Sequence, residues 1–173
     1  MNITIEQLMK INLAIETYTE NDGKLLESVT NIVYGTLDIE KSKTDQTMSE
    51  LNELLSTEFD LIQRFEYNNV EYGFIPNLSK ITTGEFIDLD NYMNGSPKQL
   101  HKIASILYRP VTNKAGKFYE IEKYEGTEKH SNTMMNVDCK VILGAMVFFY
   151  NLSNSLLHLT NTYIQKELKK MTS

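Results

Sequence analysis

The stretch Arg64-Phe65-Glu66-Tyr67-Asn68-Asn69-Val70-Glu71-Tyr72-Gly73-Phe74 decides the class of the fold, because at Arg64 the hydrophobic period drops from about 3.6 residues to 2. Phe65 and Tyr67 alternate with polar residues before Asn68-Asn69, and Val70, Tyr72 and Phe74 resume the alternation after it. Asparagine tolerates positive φ, so this pair can form a type I′ turn that sets Tyr67 opposite Val70 and Phe65 opposite Tyr72 on one aromatic face. The other face sets Glu66 against Glu71. Carboxylates facing each other across a ladder repel by roughly a few tenths of a kcal/mol, so the pair must be solvated or neutralised by a cation from elsewhere.

Upstream the pattern is helical. Thr4-Ile5-Glu6-Gln7 fits a capping box opening a first helix that runs to about Glu16, and Asn21-Asp22-Gly23 breaks it. Leu25, Leu26, Val29, Ile32 and Val33 then share the face of a second helix ending at Gly35. Thr47-Met48-Ser49-Glu50 reads as a second capping box, for a third helix carrying Leu51, Leu54, Leu55 and Phe59 and ending near Ile62.

Downstream, Pro76 closes the hairpin and Thr82-Thr83-Gly84-Glu85 opens a short helix, with Phe86, Leu89 and Met93 expected inward and Gly95 as the stop. Ser96-Pro97-Lys98-Gln99 places a cap and an N1 proline before Leu100, Ile103, Ala104 and Leu107. Pro110 forbids further helix, and a turn over Asn113–Gly116 leads into Phe118–Tyr124, expected as a third strand on the hairpin.

The last segment carries the longest periodicity. Val137, Val141, Ala145, Phe148, Leu152, Leu156, Leu159 and Tyr163 follow one another at intervals of 4, 4, 3, 4, 4, 3 and 4, the eleven-residue period of a nearly straight helix. Unbroken from Val137 to Lys169 it would measure about 50 Å, against roughly 40 Å for a compact globule of this length. Either part of it projects or packs on a neighbour, or a break near Asn151–Ser155 folds the halves together. The expected fold is therefore α+β: mostly helical, with a small antiparallel sheet of a hairpin plus a third strand, and a long C-terminal helix. One domain spans 1–173, with helices in 1–62, the sheet and two helices in 64–124, and a helical segment in 127–170.

Composition narrows the function. With 173 residues, 41% hydrophobic, 23% charged, 8 Gly and 3 Pro, the chain can close one core and is not a disordered or collagen-like sequence. A net charge of −6 argues against direct nucleic-acid binding, which needs a basic stripe. One cysteine, Cys139, removes any internal disulfide framework and any multi-cysteine zinc site. No basic region followed by an apolar core opens the chain, and the longest apolar run, Val141–Tyr150, falls short of the roughly 20 residues a bilayer requires. No membrane partner is expected, and synthesis in a cytoplasm is. Fifteen Lys against two Arg, with few Ala and many Asn, reads as translation from an AT-rich genome.

Catalytic and metal patterns fail one by one. His101, His130 and His158 form neither H-E-x-x-H nor a short ligand pair. The calcium-loop start at Asp88 meets Met93 where glycine is required, and Gly23-Lys24 and Gly116-Lys117 lack the earlier glycine of a phosphate loop. Lys166, Lys169 and Lys170 suit the last turn of a helix. No catalytic residue, cofactor or metal is expected, and the chain is read as a non-enzyme.

Tyr72-Gly73-Phe74-Ile75-Pro76, Ile81 through Leu89, Leu100-His101-Lys102-Ile103 through Tyr108-Arg109-Pro110, and Phe118-Tyr119-Glu120-Ile121 together resemble small late-gene structural and assembly proteins of tailed bacteriophages. The likeness covers roughly Arg64 to Leu157. It implies a virion structural protein of the neck, portal-associated or tail machinery, located in the virion, with other phage structural proteins as partners and a homo-oligomeric state. The alternatives are a tail-assembly chaperone absent from the mature particle and a small phage-encoded inhibitor of a host protein. Tyr72, Phe74, Phe148, Phe149 and Tyr150 are the candidate contact residues, although an intramolecular core accounts for each equally well. Glu66 and Glu71, with the run Glu120–Glu125, are candidates for an acidic strip facing a basic partner. Arg109 is expected to anchor a loop by bidentate pairing with a carboxylate.

Overall fold

The computed structural model describes residues 2–18, 23–95 and 99–171, the side chains of residues 55 and 165–171 excepted. The break expected at Asn21-Asp22 and the Ser96-Pro97-Lys98 helix start lie outside the described residues.

The hairpin forms as its sequence dictates. Strands β1 (Arg64–Tyr67) and β2 (Val70–Phe74) pair antiparallel with Phe65 opposite Tyr72, Glu66 opposite Glu71 and Tyr67 opposite Val70. Asn68 and Asn69 take φ of 50° and 59°, the left-handed pair a type I′ turn requires. Phe65 and Tyr72 stack with ring centroids 5.4 Å apart.

Among the described residues the sheet has four strands in the order β1-β2-β3-β4, one more than the sequence pattern suggests. Strand β3 (Tyr108–Ala115) begins directly where helix α5 (Leu100–Leu107) ends, and it separates the hairpin from β4 (Phe118–Ile121), which pairs with β3 rather than with the hairpin. Proline cannot donate to a ladder, and so it conceals a strand when read in sequence. Here Pro110 ends the β2–β3 register opposite Tyr72, a register shift follows between Val111 and Asn113, and its carbonyl accepts from the Glu122 N–H. Tyr119 of β4 crosses over Gly73, where an added Cβ would stand 2.5 Å from its ring, and its hydroxyl donates to the Phe74 carbonyl at 2.8 Å.

Three helices precede the sheet. α1 (Ile5–Thr17) is held by the expected Thr4–Gln7 capping box, and α2 (Gly23–Tyr34) follows it. α3 runs Lys41–Ser56, earlier at both ends than the expected start at Thr47 and end near Ile62. Thr47 is not a cap but a fully buried residue inside the helix, its hydroxyl donating to the Lys43 carbonyl at 2.7 Å. Phe59, Leu61 and Ile62 then pack on the core from an extended segment.

α4 (Thr83–Met93) opens with the expected Thr82–Glu85 box, but Phe86 and Met93 point outward, at 59% and 43% exposure. Leu89 and Glu85 face inward instead. α5 is buried on nearly every side, with only Lys102 reaching partly into solvent, so the other elements assemble around it. Tyr108, at the end of α5, is wholly buried, its hydroxyl 2.9 Å from the Ile62 carbonyl and 3.3 Å from that of Val141.

α6 (Glu128–Met134) leads to α7, which begins at Cys139 rather than Val137 and runs unbroken to Met171. No break occurs at Asn151–Ser155. The base of α7 is fixed by the Cys139 N–H, which donates to the Ile3 carbonyl at 2.8 Å, and by a close approach at Gly144. A Cβ at Gly144 would lie 2.2 Å from the Asp60 carbonyl oxygen, so only glycine lets the extended segment lie against the helix.

Gly144→Ala should therefore lower stability by about 1–3 kcal/mol, although alanine is the better helix former. Gly84→Ala, in the first turn of α4 with nothing within 4 Å, should leave stability unchanged or raise it by up to about 1 kcal/mol. Urea unfolding of the two variants against the parent checks the contrast.

Candidate interaction surface

The seven contact candidates separate by burial. Tyr72 and Phe74 are each 5% exposed and belong to the chain's own core, so they are not surface contacts. β2 lies inside the sheet, and its inward face meets Tyr108 and α7. The Phe74 ring stands 5.4 Å from Tyr108, 5.7 Å from Phe148 and 6.1 Å from Phe149. Phe148 and Phe149 are half-buried against that cluster. Tyr150, one residue further, is exposed.

The acidic strip is largely neutralised within the chain. Glu71 pairs with Arg64 at 3.3 Å and with Lys114, whereas Glu66 is exposed. Glu122 and Glu125 lie 2.8 Å and 2.6 Å from Lys129, and His130 Nε2 lies 2.6 Å from Glu122 Oε2. The Lys129 ammonium leads in holding the Glu122 carboxyl below its ordinary range.

Cys139 and His101 lie inside the core. Cys139 is buried, and desolvation pushes its thiol up to about 11, away from the thiolate. His101 is buried with Nδ1 3.3 Å from Met9 Sδ, and burial lowers its pKa. Among the described residues, no three His, Cys, Asp or Glu side chains converge as a metal site.

Arg109 does meet a carboxylate, but from strand β3 and through one guanidinium nitrogen rather than bidentately, because Nη1 is shared with a backbone carbonyl and Glu85 turns its other oxygen to Thr82. Its Nη1 lies 2.6 Å from Glu85 Oε1 with both side chains at least nine-tenths buried, and it donates to the Ile106 carbonyl at 3.1 Å. The other Glu85 oxygen, Oε2, accepts from the Thr82 N–H at 2.7 Å and the Thr82 hydroxyl at 2.6 Å. One carboxylate thus caps α4 and neutralises a cation on β3. The guanidinium also lies 5.5 Å from the Tyr124 ring centroid, and the Tyr124 hydroxyl donates to Asp88 at 2.5 Å. Burial pushes the Glu85 carboxyl up, but the Thr82 hydrogen bonds and Arg109 outweigh it and hold it below 4.5.

Exposed apolar surface gathers on α7. Its stretch Cys139–Ile164 is long and apolar enough to cross a bilayer by length and composition, which the shorter run Val141–Tyr150 did not suggest. Its two halves differ. Val141, Ile142 and Ala145 are buried in the globule, whereas among the described side chains beyond Phe149 only Leu152 is partly covered. Leu156, Leu157, Leu159, Tyr163 and Ile164 are 47–66% exposed. Asn151, Asn154, Ser155, His158, Asn161 and Thr162 occupy the opposite side at helical spacing, so the outer half is two-faced rather than apolar all round. The stripe buried at the base as Val141, Ala145 and Phe148 continues outward as Leu152, Leu156, Leu159 and Tyr163.

A second apolar surface lies among α1, α2 and α3. Ile3, Leu8, Ile11, Ile15, Leu25, Leu26, Val29, Met48, Leu51 and Leu54, with Asn12, line a cavity of about 400 Å³. Ile15 and Met48 form part of its rim, at 55% and 44% exposure.

Comparison with protein-family models, curated proteins and solved structures finds no match to this chain.

Arg109→Met should cost about 3–5 kcal/mol at neutral pH, because it strands Glu85 as a buried charge. A depressed carboxylate contributes stability that is fully present above its unfolded pKa, here about 4.5, and is lost as pH falls through the folded value. The parent should therefore lose stability as acidity increases below pH of about 4.5, and the variant should lose less over that window. Thermal unfolding from pH 7 to pH 3 tests both.

Proposed function

We propose that this chain is a non-enzymatic assembly protein that works by burying the outer face of α7 against another chain. The carrying observation is the row Leu156, Leu159 and Tyr163, 55–66% exposed on a helix that continues beyond the core it is rooted in. Apolar surface held in contiguous rows on a rigid element favours a protein partner. A bilayer is a poorer fit, since Asn151, Asn154, His158 and Asn161 line the opposite side of the exposed half.

The resemblance over Arg64–Leu157 supports placing this role in a tailed-phage particle, as a virion structural protein of the neck, portal-associated or tail region, with other phage structural proteins and copies of itself as partners. Made in the host cytoplasm, it would reside in the virion. The assembly-chaperone reading shares the same contact chemistry and differs in whether the chain stays in the finished particle.

Mass spectrometry of purified particles should find the parent chain at fixed stoichiometry, with Leu156→Glu/Leu159→Glu at least tenfold depleted. Recovery only in assembly intermediates would make the chain a chaperone. Absence from both, or equal incorporation of parent and variant, would refute the contact role of α7.

A further inference from the structure

We propose that the outer half of α7 of one copy docks into the α1–α2–α3 groove of the next, joining copies head to tail. The inference rests on the assembly role of α7 proposed above and names its partner surface.

The two surfaces match in length and chemistry. From Leu152 to Tyr163 the stripe covers about 16 Å at 1.5 Å per residue, and the groove follows α1 from Leu8 to Ile15, about 11 Å on the same rise, and continues to Ile3 ahead of the helix. The groove is lined almost wholly by aliphatic side chains, and its volume of about 400 Å³ is open for leucine-sized groups. Amphipathic helices bind such grooves by anchors spaced three and four residues apart, which is the spacing of Leu152, Leu156, Leu159 and Tyr163.

Charge selects this pairing over the parallel pairing of α7 with itself. The described residues 5–18 and 23–56, which carry the three helices around the groove, hold eight Asp and Glu against four Lys, a net of −4. Val141–Gln165 contains no Asp, Glu, Lys or Arg, and residues 166–173 then carry Lys166, Lys169 and Lys170 against Glu167. Parallel pairing of two α7 helices would bring two such basic ends together, whereas the three-helix unit, acidic in sum, attracts one.

Self-docking within one copy is excluded by the backbone. α7 is unbroken from Cys139 to Met171 and rises from a base tied to Ile3, at one end of the groove, so its outer half cannot turn back into it. A contact between two different patches is heterologous, and its repetition closes a ring or extends a filament according to the rotation per step.

Mixing two interface variants tests this directly. Ile15→Glu/Met48→Glu removes the groove and Leu156→Glu/Leu159→Glu removes the stripe, and all four positions are 44–63% exposed, so both variants should keep the parent circular dichroism. Light scattering after size exclusion should find the parent as an oligomer that shrinks as salt is raised, and each variant alone as a monomer. Their equimolar mixture should give a 1:1 dimer that grows no further, because each supplies the patch the other lacks.

If the groove variant assembles like the parent while the stripe variant is monomeric, docking in the groove is overturned and the contact role of α7 stands. A parent chain that is monomeric at every concentration, or that instead sediments with phosphatidylglycerol–phosphatidylcholine vesicles, also overturns the docking. Particle incorporation then decides the assembly role separately.

Discussion

A guanidinium confined to the interior has to be answered by a carboxylate, and in this chain Glu85 is the answer to Arg109. The requirement reaches further than one ion pair. Glu85 can meet Arg109 only if α4 begins at Thr83, and the same carboxylate secures that start by accepting from Thr82. Arg109 can meet Glu85 only if α5 stops at Leu107, so that the chain turns into β3 beside β2. Arg109 faces Gly73 in the ladder while its neighbour Tyr108 is driven into the core, and the strand alternation assigns one residue to each side. Exchanging the pair for apolar residues of similar volume need not weaken the fold, but removing one partner leaves a charge with nothing to answer it.

Local rules were enough to read the hairpin, both true capping boxes and the face of the last helix. Asn68-Asn69, Thr4–Gln7 and Thr82–Glu85 each solve a hydrogen-bond or dihedral problem within four residues. The misreadings arise where a distant partner overrules such a rule. Thr47 carries the spacing of a cap, but its hydroxyl is satisfied one turn back inside a longer helix. Phe86 has the better claim to the core by hydrophobicity, yet Arg109 draws Glu85 inward and turns Phe86 to solvent. Pro110 hides β3 because the place where a proline is tolerated, the end of one ladder and the start of a register shift, exists only once β2 and β4 are beside it.

The contact surface was half legible for a related reason. Spacing tells which residues of α7 share a face, and the row from Val141 to Tyr163 is continuous in sequence as it is in space. It does not tell where the globule ends along that row, and so the buried Val141 and Ala145 could not be separated from the exposed Leu156 and Leu159. The groove had no sequence signature at all. Three amphipathic helices are expected to bury their apolar faces on one another, and only their packing reveals that Ile15 and Met48 are left at an opening.

The glycine contact at the root of α7 has a consequence for angular precision. Gly144 lies flat against Asp60, which fixes the rotation of the helix about its own axis, and an unbroken helix hands that phase on to every later residue. Each residue inserted or deleted between Phe149 and Leu152 would swing the outer leucines by about 100° and leave the interior untouched. The bearing at which a neighbour is grasped is therefore set some 20 Å inward from the grip, on the order of fourteen helical residues, by a side chain consisting of a single hydrogen.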